Sequence, residues 1–177
     1  MKRLFLTFLL TILTVAVFAQ TFTEWLDPAV NEINRLPMRA SYFAYESAEA
    51  ARKGDPRVSE RFLDLDGTWK FSWVRNADQR PADFFRTDYD DRSWSTMPVP
   101  GLWELNGYGD PQYLNIGYAW REQFENNPPY VPIKENHVGS YRREIEIPAS
   151  WSDKQVIARF GSVTSNIYLW VNGRFVG

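Results

Sequence analysis

Acid–base chemistry is the first question that these side chains raise, because carboxylates are plentiful and other reactive groups are scarce. The chain has 22 Asp and Glu residues, a single histidine, His137, and no cysteine. The lack of cysteine excludes disulfides and thiolate zinc sites, and one histidine excludes most catalytic dyads and histidine-based metal sites. His137 lies in the polar stretch KENHVGS and is expected to be solvated. No carboxylate has a sequence context that would fix a partner, so none is assigned as catalytic.

The residues best suited to a polar ligand lie at 98–132, PVPGLWELNGYGDPQYLNIGYAWREQFENNPPYVP. Its six prolines each fix one dihedral angle and lack a backbone donor, so the stretch is predicted to be a long ordered loop, not a helix or a central strand. Long loops of this kind are usually functional.

Seven aromatic residues make this loop too apolar for a disordered linker. They are Trp103, Tyr108, Tyr113, Tyr118, Trp120, Phe124 and Tyr130. Rings mixed with Asn, Asp, Glu and Arg suit a sugar, which offers a C–H face to a ring and hydroxyls to polar groups. The alternative is that the rings form core beneath the loop, and for most of the seven this is the expected role.

Composition and charge limit the class of protein. The hydrophobic content of 44% and the aromatic content of 16% exclude a disordered chain. A net charge of −2 gives no reason to expect nucleic acid or an acidic membrane surface as a partner. At 177 residues the chain has room for a leader and one domain.

The first 19 residues have the pattern of a secretory signal peptide. Lys2 and Arg3 precede an apolar run at 4–18, and the small residue Ala19 follows. The run is short for a bilayer span of about 20 residues, so an uncleaved anchor is the minor alternative. The mature chain is expected to begin near Gln20 and to be periplasmic or secreted, with no membrane partner after cleavage.

Residues 20–60 are predicted to form an extended arm packed over the domain, with one short helix. Ser47 can cap a helix at 48–53, with Glu49 in the first turn and Gly54 closing it in the left-handed conformation. The remaining residues, 61–177, are predicted to form the main domain.

Period-two alternation predicts short antiparallel strands in this domain. Strands are expected at 68–74, with Trp69, Phe71 and Trp73 on one face, and at 141–147, 155–160, 166–171 and 174–176. Asn172-Gly173 between the last two is a strong hairpin signal. The fold class is therefore all-β, a β-sandwich and most simply a jelly roll. Because the sequence stops within a hairpin arm, it is expected to be part of a longer polypeptide, with the jelly roll incomplete at its C-terminal end.

Several motifs resemble, in order and spacing, the N-terminal sugar-binding domain of glycoside hydrolase family 2 β-galactosidases. They are DYDDRSWSTMPVPGLWELNGYGDPQYLN, NPPYVP, VGSYRREIEIPASW and GSVTSNIYLWVNGRFVG. The earlier EWLDPAVNEINRLPMRASYFAYESAEAA resembles the arm of the long members. The resemblance covers nearly everything after the signal peptide.

This resemblance implies a galactose-binding-type jelly roll in front of immunoglobulin-like domains and a TIM barrel. The enzyme would remove terminal non-reducing β-D-galactose with retention, using two carboxylic groups about 5–5.5 Å apart. Both belong to the barrel, as do the ligands of the family's Mg²⁺. The resemblance therefore implies no catalytic residue, no metal ligand and no bound cofactor in this chain, and no activity for the chain alone.

One site residue is implied by the resemblance. In the QYxN-type motif, here Gln112-Tyr113-Leu114-Asn115, the asparagine bonds galactose hydroxyls in the barrel pocket. Asn115 is therefore expected to bind substrate, and its amide offers donors and an acceptor in one plane. The alternative is a loop-capping turn residue.

Two other classes of function are open. One is a stand-alone carbohydrate-binding module without catalysis. The other is an interaction module that braces a neighbouring subunit through the aromatic arm at 22–45. For the β-galactosidase interpretation, the full-length enzyme could be homo-oligomeric.

Overall fold

The computed structural model of the chain describes residues 22–38, 40–111 and 129–177. The strands of this part are β1 (Gly67–Val74), β2 (Ser95–Val99), β3 (Val138–Arg142), β4 (Trp170–Val171) and β5 (Arg174–Phe175), and its helix is α1 (Ala48–Lys53). Short 3₁₀ turns lie at Glu24–Leu26, Pro56–Val58, Ala77–Gln79, Glu104–Asn106 and Ala149–Trp151.

The all-β class is confirmed, with antiparallel sheets and one short helix, while the jelly-roll connectivity stays a prediction. The predicted signal peptide lies outside the described residues, among which no helix is long and apolar enough to cross a membrane.

The helix α1 begins and ends where its capping residues predict. The Ser47 hydroxyl accepts a hydrogen bond from the Ala50 backbone N–H at 3.1 Å, and Gly54 closes the helix at φ 68°. Only glycine adopts this left-handed conformation without steric cost. Asp55 then caps a 3₁₀ turn that begins at Pro56.

The central sheet has the order β2-β1-β3 and is antiparallel throughout. β1 alternates as predicted, and its central residue Phe71 is fully buried, as is Met97 of β2. Phe71 lies opposite Tyr141 of β3, with ring centroids 4.7 Å apart. One face of the sheet is therefore aromatic and forms the main core of the domain.

The strand β2 was not predicted, because it enters the proline-rich stretch expected to be loop. Pro98 pairs with Thr68 inside this strand. Proline is tolerated there because β2 lies at the sheet edge, where a missing N–H leaves no ladder hydrogen bond unmade. The exclusion of a central strand remains correct, but the loop begins about two residues later than expected.

The strand predicted at 141–147 is displaced towards the N-terminus, since β3 spans Val138–Arg142. After Arg142 the chain leaves the sheet: the Arg143 guanidinium donates to the Leu65 and Asp66 carbonyl oxygens and lies 5.7 Å from the Trp69 ring centroid.

The prediction of a strand at 155–160 is wrong for the described structure. Alternation is present there, but no described segment pairs with it, and its apolar residues are exposed.

The Asn172-Gly173 hairpin is confirmed. Asn172 and Gly173 have φ of 49° and 78°, as the two-residue hairpin turn requires, and Trp170 lies opposite Phe175. The Val176 N–H donates to the Leu169 carbonyl at 2.8 Å, which extends the pairing beyond β4 and β5. The regular strand starts at Trp170, later than the predicted start at residue 166.

The arm packs over this hairpin through its first residue in the described range. Phe22 is buried among the rings of Phe85, Trp170 and Phe175. Arg80 donates to the Phe22 carbonyl oxygen at 3.0 Å. The predicted packing of the arm is thus present at its start.

Candidate functional site

The aromatic face of the central sheet carries the two limbs of the long loop. The outgoing limb (residues 100–111) follows β2, and the return limb (residues 129–137) precedes β3. Trp103 of the outgoing limb packs on Phe71 at a centroid distance of 6.2 Å. A Cβ atom at Gly139 would lie 2.6 Å from Trp103 and 2.7 Å from Phe71, so only glycine allows this close packing.

A hydrogen bond fixes the orientation of Trp103. Its indole Nε1 donates to the Tyr141 hydroxyl oxygen at 2.6 Å. Burial raises the pKa of Tyr141, and the Trp103 hydrogen bond opposes this more weakly. Tyr141 is therefore a neutral phenol at physiological pH, and it serves as an anchor for the loop.

Tyr108 makes a second anchor further along the outgoing limb. Its ring lies 4.8 Å from that of Phe71, edge to face. Its hydroxyl is 2.6 Å from Ser95 Oγ, which itself donates to the Phe71 carbonyl oxygen at 2.9 Å. Because a serine hydroxyl has one proton, Tyr108 is the donor to Ser95.

The return limb is held by the turn that follows β1. The Ala77 N–H donates to the Ile133 carbonyl at 3.0 Å, and the Glu135 N–H donates to Asn76 Oδ1 at 3.0 Å. The Arg75 guanidinium also pairs with the Glu135 carboxylate at 3.0 Å. These contacts fix Glu135 in a left-handed conformation, with φ 53°, which costs backbone strain for a residue other than glycine.

The two limbs meet at His137, and the prediction that this residue is solvated is wrong. Its ring packs against Trp73 at a centroid distance of 4.9 Å, and its side chain is 20% exposed. A Cβ atom at Gly109 would lie 3.4 Å from His137 Nδ1 and 3.6 Å from the Trp73 ring. The polar sequence around His137 concealed this packing against a strand more than 60 residues earlier.

The opposite face of the sheet is polar and holds residues 84–94. Asp91 accepts from Lys70 of β1 and from Arg142 Nε of β3, the latter at 2.8 Å. The Lys70 hydrogen bond, with a smaller contribution from Arg142, lowers the pKa of Asp91. Arg142 also donates to the Phe84 and Arg86 carbonyl oxygens. Ion pairing and hydrogen bonds from Arg142 thus tie this segment to the sheet, and its residues 88–94 belong to the first motif of the family resemblance.

The outcome for the predicted ligand-binding residues is divided. Trp103 and Tyr108 are anchors beneath the loop, as the core interpretation predicts, whereas Tyr130 is 55% exposed. Asn115 and the other four rings lie outside the described residues, so the role of Asn115 stays a prediction. Sequence reasoning missed Asn76 and Ser95, whose only signal is that such residues often bond local backbone.

Two observations on the described residues concern the binding of a metal ion or a small molecule. They contain no group of three His, Cys, Asp or Glu side chains placed to hold a metal ion. A cleft of about 70 Å³ lies between the arm and the hairpin, lined by residues that include Glu24, Val30 and Tyr168. Ligand pockets usually occupy about 300–1,000 Å³, so this cleft is too small for a substrate.

Comparison with known proteins gives a consistent result. Residues 62–177 match the family model described as "Glycosyl hydrolases family 2, sugar binding domain". The chain is 38% identical over 160 residues to a β-galactosidase of Priestia megaterium, covering 90% of this chain and 16% of that protein. It is 39% identical over 155 residues to a β-galactosidase of Halalkalibacterium halodurans, covering 87% and 15%. It is also 31% identical over 172 residues to the β-galactosidase large subunit of Leuconostoc lactis, covering 89% and 27%.

Proposed function

The chain belongs to the sugar-binding domain family of the family 2 glycosyl hydrolases, and from this premise we propose that it serves a retaining β-galactosidase. The full protein would hydrolyse terminal non-reducing β-D-galactose residues in β-galactosides. The observation that supports this proposal most strongly is the family match over residues 62–177, together with relatives named β-galactosidase at 31–39% identity.

The share of the relatives that is matched defines what the chain itself can contribute. The chain spans about one sixth of the length of the P. megaterium and H. halodurans proteins. Retaining hydrolysis needs a nucleophile and an acid/base carboxyl about 5–5.5 Å apart. We assign neither to this chain, whose role is to build and position part of the sugar site. The chain alone is expected to be inactive.

Within that site, Asn115 is the proposed sugar ligand. Its amide can donate to one galactose hydroxyl and accept from the next. The proposal is supported by the way both limbs that flank residues 112–128 are fixed: Trp103 and Tyr108 anchor the outgoing limb, and Asn76 anchors the return limb. A ligand residue gains affinity when its supporting backbone is ordered before binding.

The setting of the full protein is also a proposal. The pattern of residues 1–19 supports export to the periplasm or the medium. An intact mass of the exported protein that still includes Met1–Ala19 would contradict cleavage of this segment. From the family resemblance, Mg²⁺ would be held by residues of the barrel, and we assign no role in binding that ion to this chain.

Activity of the full-length protein on a panel of chromogenic substrates tests the proposed function. We expect β-galactoside to be hydrolysed far faster than β-glucoside, β-mannoside or β-glucuronide, with β-galactose as the first anomer seen by NMR. Sugar binding without any turnover would instead support the carbohydrate-binding module. Preferred hydrolysis of another glycoside would contradict the proposed substrate.

A further inference from the structure

The two limbs of the long loop come together on the aromatic face at a small contact of Trp73, Gly109 and His137, which we call the limb junction. The His137 ring of the return limb packs on the Trp73 ring at a centroid distance of 4.9 Å. On the outgoing limb, a Cβ atom at Gly109 would lie 3.4 Å from His137 Nδ1 and 3.6 Å from Trp73. The junction therefore joins both limbs to strand β1 of the central sheet.

The limb junction combines several structural costs. Three buried side-chain atoms of the described residues have no hydrogen-bond partner, and Trp73 Nε1 and His137 Nε2 are two of them. Two residues before His137, Glu135 has a left-handed φ of 53°. The other described residues with positive φ that are not glycine are Asn34 and Asn172, and asparagine tolerates this conformation. Such costs cluster at functional sites, where the surrounding structure holds residues in a required position.

The position of the junction in the chain relates it to the proposed sugar ligand. Asn115 lies between Gly109 and His137 in the sequence. Holding two points of a chain together lowers the number of conformations open to the residues between them. A ligand residue that is restricted before binding loses less entropy when it binds. The junction is therefore placed to favour binding through Asn115.

We propose that His137 is a positioning residue for the sugar site. Through the limb junction it fixes where the chain leaves the sheet towards Asn115 and where it returns. This role rests on the proposed function, in which Asn115 bonds galactose hydroxyls. Packing of the His137 ring on Trp73 and beside Gly109 performs this role, and it needs neither contact between His137 and the sugar nor a charge on the ring.

A double-mutant cycle in the full-length protein tests this role. It compares kcat/KM for a chromogenic β-galactoside in His137→Ala, Asn115→Ala and the double variant. We expect His137→Ala to lower kcat/KM by about three- to tenfold, because small displacements of a positioned group are costly. In the Asn115→Ala background the same substitution should have no further effect, since His137 acts through Asn115. A merely structural role would lower kcat/KM equally in both backgrounds.

Two further comparisons separate packing at the junction from other effects. His137→Phe keeps a flat ring on Trp73 and removes both nitrogens, so it should retain kcat/KM, and it remains informative if His137→Ala folds poorly. Gly109→Asn and Gly107→Asn form a matched pair, because φ is 72° and 87° at these positions and asparagine tolerates both. A Cβ atom at Gly107 would meet nothing within 4 Å, whereas one at Gly109 would meet both rings. Gly109→Asn should therefore lower kcat/KM, and Gly107→Asn should leave it unchanged.

The outcomes distinguish this role from the proposed function. Unchanged kcat/KM in His137→Ala would overturn the role, and so would an equal loss in both backgrounds or a loss in His137→Phe as large as in His137→Ala. Each of these results leaves the proposed function intact, because the unmodified protein is still active. Unchanged kcat/KM in Asn115→Ala would refute the sugar ligand and this role with it. A full-length protein that does not hydrolyse β-galactosides would refute the proposed function and this role together.

Discussion

The two faces of the central sheet hold their neighbouring segments by different forces. On the aromatic face, Phe71 and Met97 are fully buried and the outgoing limb attaches by ring packing, through Trp103 and Tyr108. On the polar face, Asp91 lies between two cations and ties residues 84–94 to the sheet by charge, while Phe84 and Phe85 of the same segment pack on Trp170 of the hairpin. Packing is non-directional, so it needs the additional Trp103–Tyr141 hydrogen bond to fix an orientation, whereas the ion pairs are directional by themselves.

The largest effect should come from removing the centre of the aromatic face. Phe71→Ala creates a cavity beneath both limbs and should lower the free energy of unfolding by about 3–5 kcal/mol. Denaturant unfolding of the purified full-length protein, followed by tryptophan fluorescence, measures this. Leu105→Ala is the control, because Leu105 is 80% exposed and its loss should change little. Equal effects of the two substitutions would show that the aromatic face is not the core.

The polar face should respond less strongly. Asp91→Asn keeps the side-chain shape but leaves Lys70 and Arg142 without their anion, and we expect a loss of about 1–3 kcal/mol at pH 7. Urea unfolding gives the value. Asp88→Asn, which disrupts an exposed pair with Arg86, should have a much smaller effect. A loss for Asp91→Asn as large as that for Phe71→Ala would remove the distinction between the faces.

The two faces should also differ in how their contribution to stability depends on pH. The folded-state pKa of Asp91 lies below the unfolded value of about 3.9 because Lys70 and Arg142 favour the carboxylate. The stability from this group is therefore present above about pH 4 and is lost as pH falls through the folded pKa. The difference between the unmodified protein and Asp91→Asn should shrink below pH 4, whereas that for Phe71→Ala should persist. The measurement is the free energy of unfolding of the unmodified protein and of Asp91→Asn from pH 7 to pH 2.5. A difference between the two that stays constant over this range would contradict the prediction.

The smallest effect concerns orientation on the aromatic face. Tyr141→Phe keeps the packing but leaves Trp103 Nε1 without its acceptor, at a cost of about 0.5–1.5 kcal/mol. Thermal unfolding measures the loss, and near-ultraviolet circular dichroism should show a changed tryptophan environment. An unchanged spectrum and midpoint would mean that packing alone orients Trp103.

Features set by neighbouring residues could be predicted from the sequence. The capping of α1 by Ser47 and Gly54, the alternation of β1 and the Asn172-Gly173 turn each depend on a few adjacent side chains. β2 and the true extent of β3 could not be predicted, because each is decided by which distant segment pairs with β1. Pro98 argued locally against a strand, and only its place at the sheet edge permits one.

The candidate site shows the same division. Asn115 was predicted from a family motif, since nothing in its local sequence distinguishes a sugar ligand from a turn residue. The polar neighbours of His137 predict a solvated side chain. Its ring instead packs against Trp73 and Gly109, which are distant from it in the sequence. The anchors Ser95 and Asn76 act through backbone groups of other segments, which no local pattern reveals.

The most direct test of the central claim, that this domain supplies a sugar ligand to a β-galactosidase, is the effect of Asn115→Ala on kcat/KM. In the full-length protein, loss of its hydrogen bonds to substrate should lower kcat/KM for a β-galactoside by about ten- to hundredfold. Asn31→Ala in the exposed arm is the matched control and should leave kcat/KM unchanged. Equal kcat/KM for Asn115→Ala and the unmodified protein, with both folded, would contradict the claim.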